Sequence, residues 1–110
     1  MNPDAGEKTL RALGLCRKAG KLIVGTDAVC AALAGGQKPC AVCAAADNSE
    51  NTGKKLRDKC GFYGVKLIWL PVSGERLAHA IGKNARCAAV AVTDENLCGL
   101  VVSTLTGSEN

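Results

Sequence analysis

Apolar residues recur along this chain in two alternating patterns. Over residues 8–19, Leu10, Leu13 and Cys16 repeat at helical spacing, and a basic last turn followed by Gly20 reads as the helix stop. The short run "KLIVG" then has strand length. Thr26 or Asp27 is expected to cap a second helix, with Val29, Cys30 and Leu33 on one side and Gly35 and Gly36 ending it. "CAVCAAA" at residues 40–46 is continuously apolar, as a strand covered on both faces would be. The polar stretch "DNSENTG" supplies several possible caps for a third helix, which carries Leu56, Cys60 and Tyr63 on one stripe and stops at Gly64.

The alternation continues to the end of the chain. "VKLIWLP" is the third strand, Ser73 caps a short helix with Leu77, Ala80 and Ile81 inward, and "CAAVAV" at residues 87–92 is the fourth strand. After Thr93, Asp94 and Glu95 occupy a favourable first helical turn, and Leu97, Leu100, Val101, Thr104 and Leu105 give the cleanest periodicity in the sequence. Strands that are mostly apolar on both faces need helices over both faces. The pattern therefore predicts an α/β fold, a three-layer α/β/α sandwich with a four-stranded central sheet. Residues 1–110 are expected to form a single domain with its core at about 8–105 and a frayed tail at 106–110. The pattern does not specify the strand order.

Composition sharpens this picture. At 110 residues and 47% hydrophobic content the chain can fill one core, not two. With one Phe, one Tyr and one Trp, that core must be built from Ala, Val, Leu, Ile and Cys. A recognition sheet that stacks bases on aromatic rings is thereby disfavoured. No apolar run approaches the ~18 residues of a membrane span, and "MNPDAGEKTL" lacks a charged-then-apolar leader, so a cytoplasmic protein without membrane partners is expected. The seven cysteines are an odd number scattered through segments expected to be buried. They read as small core residues rather than disulfides.

The formal charge of +4 matters chiefly through its distribution. Arg17, Lys18 and Lys21 form one basic cluster, Lys54, Lys55, Arg57 and Lys59 a second, and Lys83 with Arg86 a third. These are either solvated faces or a polyanion-binding surface, and the cluster after Asn51 is read as a solvated face. Catalytic and metal chemistry find no residue set. Cys40 and Cys43 have C-x-x-C spacing, but in a strand positions three apart point to opposite faces and could not converge on a metal. His79 reads as a structural or exposed histidine between inward Leu77 and Ala80. Neither G-x-x-x-x-G-K-[ST] nor G-x-G-x-x-G occurs, so no nucleotide cofactor or small-molecule substrate is expected.

One stretch does carry a mechanism. Between Lys8 and Lys21 stand five basic residues and no acid, and "KLIVG" then turns at Gly25 into a helix. A helix N-terminus offers free backbone N–H groups and partial positive charge to a phosphate or a base edge, and Lys18 and Lys21 are expected at its entrance.

"GLCRKAGKLIVGTDAV", "ENTGKKLRDKCGFYGV" and "LAHAIGKNARCAAVAVTDENL" occur in the order and spacing of the L-seven-Ae and L-thirty-e superfamily of ribosomal proteins. From about Leu10 to Leu105 the chain resembles that superfamily, most closely its small bacterial branch, the YlxQ-like proteins. The resemblance implies a three-layer α/β/α domain that binds kink-turn RNA, a bent element held by tandem sheared G·A pairs, without enzymatic activity, cofactor or metal. It also implies structured RNA, ribosomal RNA included, as the partner. In that superfamily the second helix begins with G-x-[N/K]-[E/Q]-x-x-K, whose middle polar residues read guanine edges. A second loop before the fourth strand packs on protruding nucleotides.

Here the pattern falls on Gly25, Thr26, Asp27, Ala28, Val29, Cys30 and Ala31, and the second loop on Gly82, Lys83, Asn84, Ala85 and Arg86. The implied RNA-binding residues are thus Lys18, Lys21, Gly25, Thr26, Asp27, Ala28, Lys83, Asn84 and Arg86. Asp27, Ala28 and Ala31 depart from the pattern, and an ionised Asp accepts hydrogen bonds but donates none. Two functions therefore stay open: an RNA-binding protein, and a protein-interaction module of the same fold that has lost kink-turn reading.

Overall fold

In the computed structural model, which describes residues 4–36 and 38–106, helix and strand alternate from end to end. The elements are α1 (Asp4–Lys18), β1 (Leu22–Val24), α2 (Thr26–Ala34), β2 (Ala41–Ala44), α3 (Glu50–Tyr63), β3 (Lys66–Trp69), α4 (Gly74–Ala80), β4 (Ala89–Val92) and α5 (Glu95–Thr106). Helix α1 begins earlier than its apolar stripe implied, and the end of the expected frayed tail, residues 107–110, lies outside the described residues. The predicted stops at Gly20 and Gly64 hold φ 73° and 72°.

The sheet order is β1-β4-β2-β3, with β4 antiparallel to both of its neighbours and β2 parallel to β3. The alternation of side chains along each strand divides the core in two. Val42 and Ala44 of β2, with Ala89 and Ala91 of β4, pack against Val29, Leu33, Leu56 and Cys60 from α2 and α3. Cys43 and Val90 turn the other way, toward Leu13 and Cys16 of α1, Leu77 of α4 and Val101 of α5. The result is the predicted three-layer sandwich, with α2 and α3 on one face and α1, α4 and α5 on the other. Each fully buried Val or Leu contributes about 1.5–3 kcal/mol from removing apolar surface from water.

Only the central strands match the expectation of apolar strands covered on both faces. All four residues of β2 and of β4 are buried, whereas β1 is half-buried and β3 exposes Lys66 and Trp69. Edge strands have a neighbour on one side only, so hydrophobicity alone overstated their cover. Leu100 is a second correction. It sits on the predicted stripe of α5 but is 41% exposed, because α5 lies mainly on α1, where the hydroxyls of buried Thr9 and of Thr104 meet at 2.7 Å.

Among the described residues the seven cysteines are all free thiols, four of them buried. Burial pushes the Cys43 thiol up from 9.0 to about 12. No group of three or more His, Cys, Asp or Glu side chains among the described residues could hold a metal ion, and no helix is long and apolar enough to cross a membrane.

Candidate nucleic-acid interface

Strands β1, β2 and β3 all run in one direction, because β1 and β2 are each antiparallel to β4. Their carboxyl ends therefore open at one end of the sheet, where α2, α3 and α4 begin and where the chain enters β4 from the 82–88 loop. A crevice outside the carboxyl ends of strands is the ordinary binding place in open α/β sheets.

The helix starts at this end differ in one respect. Ser49 caps α3 by accepting from the Thr52 N–H at 3.2 Å, and Ser73 caps α4 by accepting from the Arg76 N–H at 3.1 Å. Helix α2 has no side-chain cap. Its N-cap is Gly25 itself, at φ 102° and ψ 144°, which corrects the expectation that Thr26 or Asp27 would cap it. Both residues lie inside the first turn, so the hydroxyl and carboxylate are not directed back at the helix start. The Gly25 N–H is already bonded to the Ala89 carbonyl at 2.9 Å, and the Gly25 carbonyl accepts from the Val29 N–H at 2.9 Å. The N–H groups of the first turn and the positive end of the helix dipole are left to whatever approaches from outside.

The loop before β4 stands beside this helix start. Buried Cys87 lies at the junction: burial pushes its thiol pKa up, opposed by hydrogen bonds involving the Ala89 and Gly25 backbone and by the positive charges of Lys83 and Arg17. The Gly25 N–H bond to the Ala89 carbonyl ties this junction to the α2 start. Lys83, Asn84 and Ala85 are exposed and, with His79 and Glu75, line a recess of about 350 Å3. On the other side of Gly82 a groove of about 600 Å3 runs between α1 and α4, bordered by Arg11, Leu15, Arg17 and Lys18. Arg17 braces it by donating from Nη1 to the Ile81 carbonyl at 3.2 Å.

Two predicted site residues are placed differently. Lys21 does not join this end of the sheet. Its carbonyl accepts from the Thr93 N–H at 3.0 Å, whereas Gly25 pairs with Ala89, so the length of β1 separates them by about 13 Å. Arg86 is near the site, but its guanidinium grips Asp47, with Nη1 on Oδ2 and Nη2 on Oδ1 both at 3.0 Å and Nη2 on the Asp47 carbonyl at 2.7 Å. Asp47 also accepts from the Gly74 N–H at 2.9 Å. That backbone bond, then the Arg86 guanidinium, holds its carboxyl below the usual carboxylate range. Arg86 therefore fixes the loop before β4 to the start of α4. The space for it exists because residue 74 has no side chain, since a Cβ there would meet Arg86 Cγ at 2.8 Å and the Cys87 carbonyl at 3.0 Å.

Sequence reasoning missed Lys55. It was read as part of a solvated face, yet its Nζ stands 4.0 Å from the Asp27 carboxylate, because α2 and α3 start side by side. Asp27 is fully exposed, and Ala28 and Ala31 also face solvent. No local signal pointed to the pair, whose members are far apart in sequence.

Known proteins share this architecture. The family model of the ribosomal protein L7Ae/L30e/S12e/Gadd45 family matches residues 7–101. The chain belongs to that family. The RNA-binding protein YlxQ of Bacillus subtilis (strain 168) is 37% identical over 93 residues, covering 84% of this chain and 90% of the relative. YlxQ of Enterococcus faecium is 37% identical over 83 residues, 76% of this chain and 79% of the relative. Among solved structures, a Bacillus halodurans C protein of unknown function superposes with TM-score 0.80 at 30% identity, covering 90% of this chain and 97% of its own. The Giardia lamblia 15.5kD RNA binding protein superposes with TM-score 0.75 at 16% identity over 99% of this chain and 91% of its own, a likeness of fold. As a member of the L7Ae/L30e/S12e/Gadd45 family the chain is not an enzyme, in agreement with the sequence reading. For this family member, the residues brought to one end of the sheet are Gly25, Thr26, Asp27 and Ala28 of the α2 start, Lys83 and Asn84 of the facing loop, and Lys18 along the adjoining groove.

Proposed function

We propose that the chain is a cytoplasmic RNA-binding protein that recognises a kink-turn in structured RNA, ribosomal RNA included. The observation that carries this reading is the α2 start without a side-chain cap, flanked by the 82–86 loop at the carboxyl end of three parallel strands. The likeness to the RNA-binding YlxQ proteins supports it.

In this reading the first-turn N–H groups of α2 receive base edges or a phosphate of the bent strand. Lys83 and Lys18 neutralise phosphates on either side, and Asn84 reaches the protruding nucleotides. Asp47 and Arg86 act by positioning, keeping the second loop at the height of the α2 start. Lys55 offsets the exposed charge of Asp27, which would otherwise repel phosphate. Because Ala28 and Ala31 carry no polar group, selectivity rests on the backbone and on Asp27 accepting from a guanine amino edge. Each good base-edge contact is worth about 1–3 kcal/mol of discrimination, so selection is expected to be weaker than with two donor side chains in place.

One observation favours a second reading, a protein-interaction module of the same fold: Asp27, Ala28 and Ala31 all face solvent and none has a side chain that donates a hydrogen bond. A titration against a kink-turn RNA and a matched duplex lacking the G·A pairs, at two salt concentrations, separates the two. Tighter binding of the kink-turn at both salts is the expected result. Equal, salt-sensitive binding removes the kink-turn, and no binding to either RNA leaves the interaction module.

A further inference from the structure

The chain has one Phe, and the structure leaves it 81% exposed near the end of α3, although a large ring gains most by burial. Its ring stands edge-on to Tyr63, with centroids 4.8 Å apart and planes at 88°, and Tyr63 is in turn covered by Lys38, whose Nζ lies 5.7 Å from the ring centre. Tyr63 packs against the core and so holds the Phe62 ring upright. The same face of α3 carries Lys55 and Lys59, and Lys55, Asp58, Lys59, Phe62 and Tyr63 border a shallow depression of about 410 Å3. Asp58 is engaged by Lys54 at 2.9 Å, while Lys59 has no ion pair among the described residues. The face therefore presents one exposed ring beside Lys59, which has no ion pair among the described residues, and Lys55, which reaches the Asp27 carboxylate only at 4.0 Å.

This surface is continuous with the α2 start. Lys55 lies 4.0 Å from Asp27 at the beginning of the two helices, and Phe62 follows seven positions later, about 10 Å along the α3 axis. We infer that the outer face of α3 is a second RNA-contact surface, on which Phe62 stacks an unpaired base while Lys55 and Lys59 hold the flanking phosphates. Positive charge with an exposed π-face is the combination that binds single-stranded nucleic acid without sequence preference. The occupant is a single-stranded segment adjoining the structured element, so the inference rests on the RNA-binding reading above. A protein partner would need a broader apolar patch than one ring framed by lysines.

The test uses the full chain, Phe62→Ala and Phe62→Trp with two probes. One is a roughly 8-nucleotide single-stranded RNA carrying a fluorescent aminopurine, and the other is a blunt kink-turn RNA without overhangs. Quenching of the aminopurine is expected with the parent chain and with Phe62→Trp. With Phe62→Ala the quench should vanish and affinity fall about five- to hundredfold, while blunt kink-turn binding stays unchanged. Lys59→Gln should lower the slope of log affinity against log salt for the single strand by about 0.7. Kink-turn binding with a single strand that is unquenched, or equally quenched by Phe62→Ala, overturns the inference and spares the proposed function. A Phe62-dependent quench without kink-turn selection does the reverse. Binding to neither RNA removes both and leaves the α3 face to a protein partner. Phe62→Ala removes no buried contact of the core, and an unchanged thermal transition verifies its fold.

Discussion

Gly25 holds a backbone conformation, φ 102° and ψ 144°, that a residue with a Cβ reaches only at a cost of about 1–3 kcal/mol. Beyond its own chain neighbours no atom stands within 4 Å of where that Cβ would go, so the cost of Gly25→Ala is conformational and not a clash with the rest of the fold. A loss of unfolding free energy of that size, read from a lower urea midpoint, is expected, whereas Gly61→Ala, at an exposed helical position with equal room, should gain about 0.5–1 kcal/mol. A Gly25→Ala chain as stable as the parent would mean that the turn into α2 relaxes, and with it the direction of the first-turn N–H groups. Cys43 gives a prediction of the opposite kind, one of pH. Its folded pKa of about 12 lies above the ordinary 9.0, so the folded chain keeps a proton that the unfolded chain releases. The stability linked to that proton is complete below pH 9 and is lost as pH rises toward 12. Cys43→Ala should therefore flatten the alkaline limb of stability measured by urea unfolding, by on the order of 1 kcal/mol between pH 7 and pH 10, whatever it costs at neutral pH.

The elements themselves were legible because their signals are local. Leu10, Leu13 and Cys16 announce α1 within two turns, Ser73 announces the start of α4 from one position away, and all four are where the pattern put them. What the pattern could not show is set by partners distant along the chain. The exposure of β3 follows from its place at the end of the order β1-β4-β2-β3, and Arg86 is drawn from the predicted site by Asp47, 39 residues earlier. That ion pair also joins elements, since Asp47 holds the Gly74 N–H at the start of α4 while Gly74 accepts from the Cys87 N–H at 3.0 Å. In Asp47→Asn the bidentate charge pair is gone, and faster amide hydrogen exchange at Cys87 and Gly74 is expected at neutral pH. The pKa of Asp47 is lowered by its partners, so the stability it lends is present above pH 3.8 and is lost as pH falls through the lower folded value. Acid unfolding of Asp47→Asn should accordingly be less steep below that pH. Ser49→Ala makes a comparison confined to one helix: loss of the α3 cap should cost about 1 kcal/mol without changing exchange at Cys87.

At the scale of the whole molecule, the sheet decides which cations can act together. With a net charge of only +4, the chain does not attract RNA as a uniformly positive body, and in the proposed reading affinity comes from the few lysines near one end of the sheet. Lys83 stands in the recess of the loop before β4, Lys18 along the groove that meets the 82–86 loop, and Lys55 across Asp27, whereas Lys21 sits at the far end of β1 beside Thr93. Lys18 and Lys21 stay close, since the Lys21 N–H donates at 2.9 Å to the Cys16 carbonyl in the last turn of α1, but only Lys18 borders the groove that meets the 82–86 loop. Each phosphate contact releases condensed counterion and adds about 0.7–0.9 to the slope of log affinity against log salt. Replacing Lys18 or Lys83 by Gln should therefore lower the slope by about that amount for kink-turn and control duplex alike, because phosphate contacts carry no sequence information. Lys21→Gln should leave it unchanged. A Lys21 effect as large as that of Lys83 would place the RNA along the β1 edge instead of over the strand ends. The Gly25 turn and the loop held by Arg86 would then serve the fold alone.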